Sequence, residues 1–299
     1  MSETRARIAT ELADLHAVDD LAHLGFELEG PAWQNRARRL SSARRSAADR
    51  WLIEADGRPA AALLCYPLEL GRRDGSHAQG FGLGAVTTHP EMRRRGLAAA
   101  LCRHVAAYEA QRGRHLGLLF SGIEPRYYGR LGYGECAAWD WACTRLDELA
   151  SSGEPSELHA VDPRREAERL CALYAEHHVG QLHLRRDAAG WERSLQIAPD
   201  HGWFVLGDPA QPRGYVRVSF HPKGLDLMEL IVAAEEQPAV LRRLAAMALE
   251  LELGRLWTWA SETPFLREWF EDKGRSKTLP MVSGAPGAGA SQFWPTDYF

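Results

Sequence analysis

The stretch HPEMRRRGLAAAL, residues 89–101, brings together three features that make an anion site. Pro90 ends the segment before it, three arginines follow, and Gly96 leads into an apolar run. The first backbone N–H groups of a helix have no partners within it and point out of its positive end. A glycine there lets an anion approach the backbone closely. This is a recipe for holding a phosphate or pyrophosphate. Arg93, Arg94 and Arg95 add charge at its rim. A solvated basic helix start is the plain alternative. Neither GxGxxG nor GxxxxGK[ST], the usual dinucleotide and P-loop fingerprints, occurs in the chain.

For such a site to form, a strand must deliver the chain to the arginines and a helix must carry it away. Residues 78–90, AQGFGLGAVTTHP, read as a glycine-bearing strand that stops at Pro90. Beyond Arg95 the apolar positions Leu97, Leu101, Val105 and Tyr108 fall on one helical stripe. Upstream, RIATEL reads as a first strand, followed by the helices DLHAVDDLAHLGFEL and PAWQNRARRLSSARRSA. Asp56-Gly57 between two apolar runs is a strong hairpin signal. Downstream come a buried-type strand, RHLGLLFSG, a short helix in EPRYYGRLGYGEC, and a last strand in AAWDWACTRL.

The same order then recurs, which marks a tandem duplication. DELASSGEPSE reads as a linker. A strand (ELHAV), two helices, a hairpin around Asp208-Pro209, a strand (LDLMELIVA), a helix, a strand (GRLWTWAS) and a short helix follow, and KTLPMV closes the series. SGAPGAGAS is expected to be a flexible tether. The aromatic tail QFWPTDYF is expected to dock, since four exposed aromatic rings would be poorly soluble. The fold class is α/β (α+β), with two units that each hold a mixed, mostly antiparallel sheet flanked by helices. The expected division is residues 1–146, a linker over 147–156, a second unit over 157–283, and the tether and tail over 284–299.

VTTHPEMRRRGLA resembles motif A of the GCN5-related N-acetyltransferases, in which [RQ]-x-x-G-x-[GA] holds the pyrophosphate of acetyl-CoA. The match here is Arg93-Arg94-Arg95-Gly96-Leu97-Ala98. YYGRLGYG resembles that family's Y-x-x-x-G-[FY] segment. The pair of motifs followed by a degenerate second copy is similar to the enhanced intracellular survival (Eis) type. The specific motifs lie within residues 84–135, and the sterol-carrier-like domain of that type is not expected within these 299 residues. The resemblance implies an acyl-CoA-dependent N-acetyltransferase that moves an acetyl group to a primary amine by direct attack in a ternary complex. A CoA-binding sensor or scaffold without turnover is the alternative. Acetyl-CoA would lie where strands four and five splay apart. The backbone of Val86 and Thr88, with Thr87 between them, would bond the pantetheine arm. Arg93, Arg94, Arg95, Gly96, Leu97, Ala98 and Ala99 would wrap the pyrophosphate, and Ile123 and Glu124 would lie near the thiol end.

The resemblance also implies a general acid, Tyr128, which would protonate the departing CoA thiolate; Tyr127 and Tyr133 are its neighbours in sequence. Eis relatives take their base from a C-terminal phenylalanine carboxylate. This chain also ends in phenylalanine, Phe299, and Glu124 and His89 are further candidates. In the second copy the matching loop, VAAEEQPAVL, has no glycine, carries Glu235 and Glu236, and has Pro238. Phe270 is set against Tyr128. That unit is therefore expected to bind no CoA.

Composition excludes several other classes. A net charge of −4 gives no support to a nucleic-acid or membrane role. No apolar run is long enough to span a bilayer, and the start lacks a signal core. A cytoplasmic protein is expected. The five cysteines form no CxxC and are expected to be reduced and buried. No metal is expected: His177, His178 and His183 read as a solvated helix end. Arg36, Arg38, Arg39, Arg44 and Arg45 read as a solvated basic face, and Trp257 and Trp259 as inter-domain core. The expected partner is a small-molecule or peptide amine, with no nucleic acid and no membrane. A homo-oligomer stays open, as do the acceptor and the length of the acyl group.

Overall fold

A computed structural model describes residues 5–40, 47–275, 277–285 and 290–298. Two mixed sheets organise the chain. The first runs β1 (Arg5–Ile8), β2 (Asp49–Ala55), β3 (Arg58–Gly71), β4 (His77–Thr88), β5 (Leu116–Ser121), β15 (Leu279–Ser283), β6 (Tyr133–Glu135), with β9 (His183–Leu184) on the far end of β3. The second runs β14 (Glu271–Asp272), β7 (Trp141–Cys143), β13 (Leu256–Thr258), β12 (Gly224–Ile231), β11 (Tyr215–His221), β10 (Gly202–Leu206), β8 (Leu158–Ala160). Most pairings are antiparallel. The exceptions are β4 with β5 and β12 with β13, which each run parallel around a crossover helix.

Alternation along β3 builds both faces of the first sheet. Ala61, Leu63 and Cys65 pack under α3 (Leu97–Gln111), against Leu97, Leu101 and Val105. Ala62, Leu64 and Tyr66 face α1 (Leu12–Gly25), against Val18 and Leu21. Side chains of a strand alternate between faces, so an apolar run on both parities marks a strand covered on both sides. α2 spans Ala32–Leu40, where Arg36 pairs with Asp20 at 2.6 Å. Arg44 and Arg45, and the side chains of Arg38 and Arg39, lie outside the described residues.

The sheets depart from chain order at their ends. The last strand expected for the first unit, β7, pairs with β13 and β14 in the second sheet. The strand expected to close the second unit, β15, inserts between β5 and β6 of the first. The stretch 147–156, expected as a linker, begins within a helix (α5, Leu146–Ser151) whose Leu146 and Leu149 are buried in the second core. The first strand stops at Ile8 and Leu12 already starts α1, so RIATEL is not one strand. Of the expected tether, residues 286–289 lie outside the described residues, while Ser283 ends β15 and Ser291 is buried.

The tail docks as expected. Phe293 joins a cluster with Leu70, Leu116 and Leu118 of the first sheet, and Trp294 joins the core of the second. Burying each ring removes roughly 150–250 Å² from water, about 4–6 kcal/mol of gross stabilisation. Trp294 also corrects the reading of the histidines. Its Nε1–H donates to His178 Nε2 at 3.0 Å, so His178 Nδ1 carries the proton given to the Tyr174 carbonyl at 2.7 Å. His178 is fully buried and stacks near His183, with ring centroids 4.9 Å apart. Burial holds His178 well below the usual imidazole range and His177 down to about 4. This is a neutral core cluster under the tail, not a solvated helix end. Among the described residues no group of His, Cys, Asp and Glu has the arrangement of a metal site. No helix among them is long and apolar enough to cross a membrane.

Candidate functional site

The parallel pairing of β4 with β5 runs from Gly80↔Leu116 to Leu83↔Leu119 and then stops. β4 continues to Thr88 and β5 to Ser121, so the two strands fork. The cause lies in β4. Against β3, Ala62 faces Thr87 but Leu64 faces Gly84, so β4 carries one extra residue in a bulge at Ala85–Val86. Ala85 takes the left-handed φ of 49°. A bulge bends its strand and sharpens its twist. Here it turns Gly84–Thr88 away from β5 and leaves that edge without a strand partner.

Beyond the fork the chain makes one 3₁₀ turn, Pro90–Met92, capped by His89 Nδ1 accepting from the Glu91 N–H. Arg93, Arg94 and Arg95 then lead into α3. Gly96 is its N-terminal cap with φ 77°, a left-handed conformation, and supplies no side chain to cap the helix. The Ala100 N–H is the first to find an intrahelical carbonyl, that of Gly96. The amides of Leu97, Ala98 and Ala99 therefore stand at the free end of a fifteen-residue helix. A Cβ placed on Gly96 would meet nothing within 4 Å. Open space faces the unpaired donors.

The three arginines are not equivalent. Arg95 Nη1 pairs with Asp56 Oδ2 at 2.7 Å, tying the loop to the Asp56-Gly57 turn of the β2–β3 hairpin. Arg93 Nη2 donates to the Gly25 carbonyl at 3.2 Å, at the end of α1. Arg94, with φ 64°, is exposed and has no hydrogen bond or ion pair among the described residues. Two arginines thus fix the loop, and Arg94 is left facing solvent. α1 is held to the fork from the other side as well. The Thr87 hydroxyl donates to the Leu21 carbonyl at 3.2 Å, and a Cβ on Gly25 would strike Thr87 Oγ1 at 1.7 Å. Only glycine fits there. The Thr87 side chain is spent on α1, which leaves its backbone for the fork.

At the other arm, Ser121 Oγ donates to the Ile123 carbonyl at 2.7 Å and turns the chain at the end of β5. Ile123 and Glu124 follow, both exposed, with Ile123 at 52%. The helix α4 (Arg126–Gly129) then places Tyr127 and Tyr128 edge to face, 5.0 Å apart. Tyr128 is buried, next to Tyr133 at 6.2 Å. Its hydroxyl has no hydrogen-bond partner among the described residues. Burial pushes the phenol above its ordinary value, with smaller contributions from Cys102, Tyr127 and Tyr298. Tyr133 lies deeper, on β6, and burial raises it too. The structure thus gathers Val86–Thr88, Gly96–Ala99 and Ile123–Tyr128 around one fork. Phe299 lies outside the described residues; its neighbour Tyr298 stands 5.5 Å from Phe120 of β5.

Two features escaped the sequence reading. Phe26, directly after Gly25, is 50% exposed, and Trp33 at the start of α2 is 65% exposed. Both rings stand at the turn from α1 to α2. The other is a cleft of about 330 Å³ on the α1 face, lined by Tyr66, Leu68 and Gln79 of the first sheet and by Arg186, Thr296 and Asp297. Tyr66 pairs with Gly82, one residue before the fork opens.

The second sheet has a comparable fork, where β12 and β13 part after Leu227↔Thr258. The chain's own tail fills it. Gln292 Nε2 donates to the Trp259 carbonyl, its Oε1 accepts from the Ser261 hydroxyl, and Trp294 lines the remaining cavity. The crossover helix (Gln237–Glu250) starts after Glu236, its N-terminal boundary residue, and carries Pro238 in its first turn. An acidic residue there and a missing N–H both disfavour an anion. Calorimetric titration is expected to give one acetyl-CoA per chain; a stoichiometry of two would show that the second fork binds as well.

Comparison with known proteins agrees with this geometry. The family model of the acetyltransferase (GNAT) domain matches residues 6–136. No curated protein matches the sequence. Among solved structures, a conserved protein of unknown function from Enterococcus faecalis V583, described as a probable N-acyltransferase, superposes with a TM-score of 0.75 at 14% identity, covering 94% of this chain and 72% of that one. A GCN5-related N-acetyltransferase from Kribbella flavida gives 0.71 at 16%, covering 94% and 71%. Eis1 from Mycobacterium abscessus gives 0.65 at 18%, covering 93% and 73%. Residues 6–136 therefore resemble the acetyltransferase (GNAT) domain, in a chain whose whole fold is similar to that of solved GNAT N-acetyltransferases.

Proposed function

We propose that the chain transfers the acetyl group of acetyl-CoA to a primary amine, with the chemistry in the first unit. The observation that carries this is the fork of β4 and β5 ending at the uncapped start of α3. The open β4 edge over Gly84–Thr88 offers backbone donors and acceptors to the two amides of a pantetheine arm. The amides of Leu97, Ala98 and Ala99, with Arg94, offer charge and donors to a pyrophosphate. These groups would meet acetyl-CoA in order, from the edge of β4 to the start of α3.

Direct attack is favoured over an acyl-enzyme. Every cysteine is raised by burial: Cys136 to about 11, Cys102 to about 12, and Cys65, Cys143 and Cys171 upward as well. A thiol acts as a nucleophile only as thiolate, so none is ready to take the acetyl group. The amine nitrogen would attack the thioester carbonyl, the carbon–sulfur bond would break, and sulfur would leave as thiolate. Tyr128 is the donor assigned to that sulfur. Its raised pKa keeps the phenol protonated, and because a thiolate is a weaker base than a phenolate, the transfer depends on the sulfur being held in hydrogen-bond contact with the hydroxyl. The acceptor enters from the α1 face, where the cleft beside Tyr66 and Leu68 opens next to the fork. Glu124, His89 and Phe299 are the groups considered for removing the amine proton; His89 is engaged as a cap.

Thiol release from acetyl-CoA, followed with a panel of aminoglycosides, polyamines and peptides, tests this reading. Release that depends on an added amine, with a matching acetylated product by mass spectrometry, is the expected result. Binding of acetyl-CoA without release to any amine would replace the transferase with a sensor.

A further inference from the structure

Trp294, Thr296 and Asp297 lie in the core of the second unit, yet the next residue belongs to the first. Tyr298 is 42% exposed and packs edge-on to Phe120, the residue of β5 directly before Ser121 and the end of the fork. A side chain from the far end of the chain thus packs on β5 beside the fork. What fixes it there is a buried charge cluster. Arg186, whose side chain is 4% exposed, donates from Nη2 to Asp297 Oδ1 at 2.7 Å and to Thr296 Oγ1 at 2.8 Å. Its Nη1 donates to Glu229 Oε1 of β12 at 2.9 Å, and its guanidinium lies over the Tyr174 ring at 4.3 Å. Asp297 Oδ2 accepts the Trp294 N–H at 2.9 Å, which closes the last turn of the tail.

A buried ion pair adds little stability over well-packed apolar residues of the same size, because desolvation offsets the attraction. Its distinctive contribution is geometry. A planar guanidinium satisfied on both edges admits one placement of its carboxylates. Asp297 is adjacent to Tyr298, so the placement is passed directly to that ring.

We propose that Arg186 is a positioning residue for the amine acceptor. Acting through Asp297, it sets Tyr298 as the wall that the acceptor meets beside Phe120. This rests on the transferase reading above. It also gives the second unit a role. With its own fork filled by the tail, that unit holds the residue that shapes the first unit's acceptor side.

Steady-state kinetics with an amine found in the acceptor screen, together with hydrogen exchange of the 296–298 amides, tests this. Tyr298→Ala removes an exposed ring and folds normally; acceptor KM is expected to rise roughly tenfold, the loss of one aromatic contact. Affinity for acetyl-CoA and Tm should stay as in the wild type. Arg186→Met should raise acceptor KM by a similar factor and speed exchange at the Asp297 and Tyr298 amides, which the Trp294 and Pro295 carbonyls accept. The double variant should be no worse in KM than either single change, because both act on one ring. Arg186→Lys keeps the charge but reaches fewer partners, and should fold normally with an intermediate KM. Unchanged acceptor KM in Tyr298→Ala, or multiplying effects in the double variant, overturns the proposal. So does a lower Tm in both Arg186 variants with no change in acceptor KM. If the wild type transfers to no amine, the transferase reading fails and the acceptor role with it. Amide exchange then still supports or refutes the clamp by itself.

Discussion

Tyr128→Phe is expected to lower kcat by roughly 10²–10⁴-fold, the range that general acid catalysis contributes. Acetyl-CoA affinity should change little, because the groups proposed to hold the pyrophosphate belong to α3 and not to α4. The environment of Tyr128 makes this a clean experiment. Its hydroxyl has no partner among the described residues, so the change removes no hydrogen bond. The ring and its packing are kept, and Tm should hold. A loss of kcat therefore cannot be assigned to unfolding. Tyr127→Phe and Tyr133→Phe serve as controls and should each cost about 1 kcal/mol or less of stability, with small effects on turnover. Should the large loss follow Tyr127 instead, the acid is misplaced by one residue. Loss from none of the three would exclude a tyrosine acid and leave water as the proton source.

The same burial makes a statement about pH. A desolvated phenol resists ionisation, so its folded pKa lies above the ordinary value of 10.0. The donor is then fully protonated throughout the neutral and mildly alkaline range. No alkaline fall in kcat that is absent from Tyr128→Phe should appear below about pH 10. A falling limb near pH 8 that vanished in the variant would show a phenol far more acidic than its surroundings allow.

The sequence made the local parts of this site legible and concealed the long-range ones. Asp56-Gly57 adopts positive φ at both residues, 55° and 74°, and forms the predicted hairpin, because turn chemistry is written in two adjacent residues. The strand, arginines, glycine and helix of motif A were equally readable, since each depends on near neighbours. Which arginine is left facing solvent was not readable. That depends on Asp56 and the Gly25 carbonyl, which are distant in sequence and meet the loop only in the fold. The exchange of β7 and β15 between the sheets was hidden for a related reason. Strands of three and five residues carry too little periodicity to declare a partner, and an edge is settled by tertiary pairing. The histidines were misjudged because their cover, Trp294, arrives from 116 residues away.

Gly96→Asp is expected to weaken acetyl-CoA binding by about 10²-fold or more while the fold is retained. Two opposing effects act at this position. With φ 77°, Gly96 lies where an L side chain is strained, at a cost of about 1 kcal/mol. Against that, a Cβ there meets nothing within 4 Å, and the helix it caps has no side-chain cap. Aspartate is a favoured capping residue and tolerates the left-handed region better than most. The new carboxylate can accept from the free amides of the first turn, which offsets the strain. Tm should therefore move by only a few degrees. The stabilising contact is also what removes the ligand. The same amides would now be bonded to an internal anion, and a pyrophosphate would face both the loss of those donors and a like charge at close range. Charge-assisted hydrogen bonds are worth about 1.5–3 kcal/mol each, so losing two of them reaches the expected factor. Gly96→Ala separates the causes. It carries the strain without the charge and should cost no more than a few-fold in affinity. Equal losses in the two variants would point to a distorted helix start rather than a blocked anion site. Unchanged affinity in Gly96→Asp would falsify the assignment of this loop to the pyrophosphate.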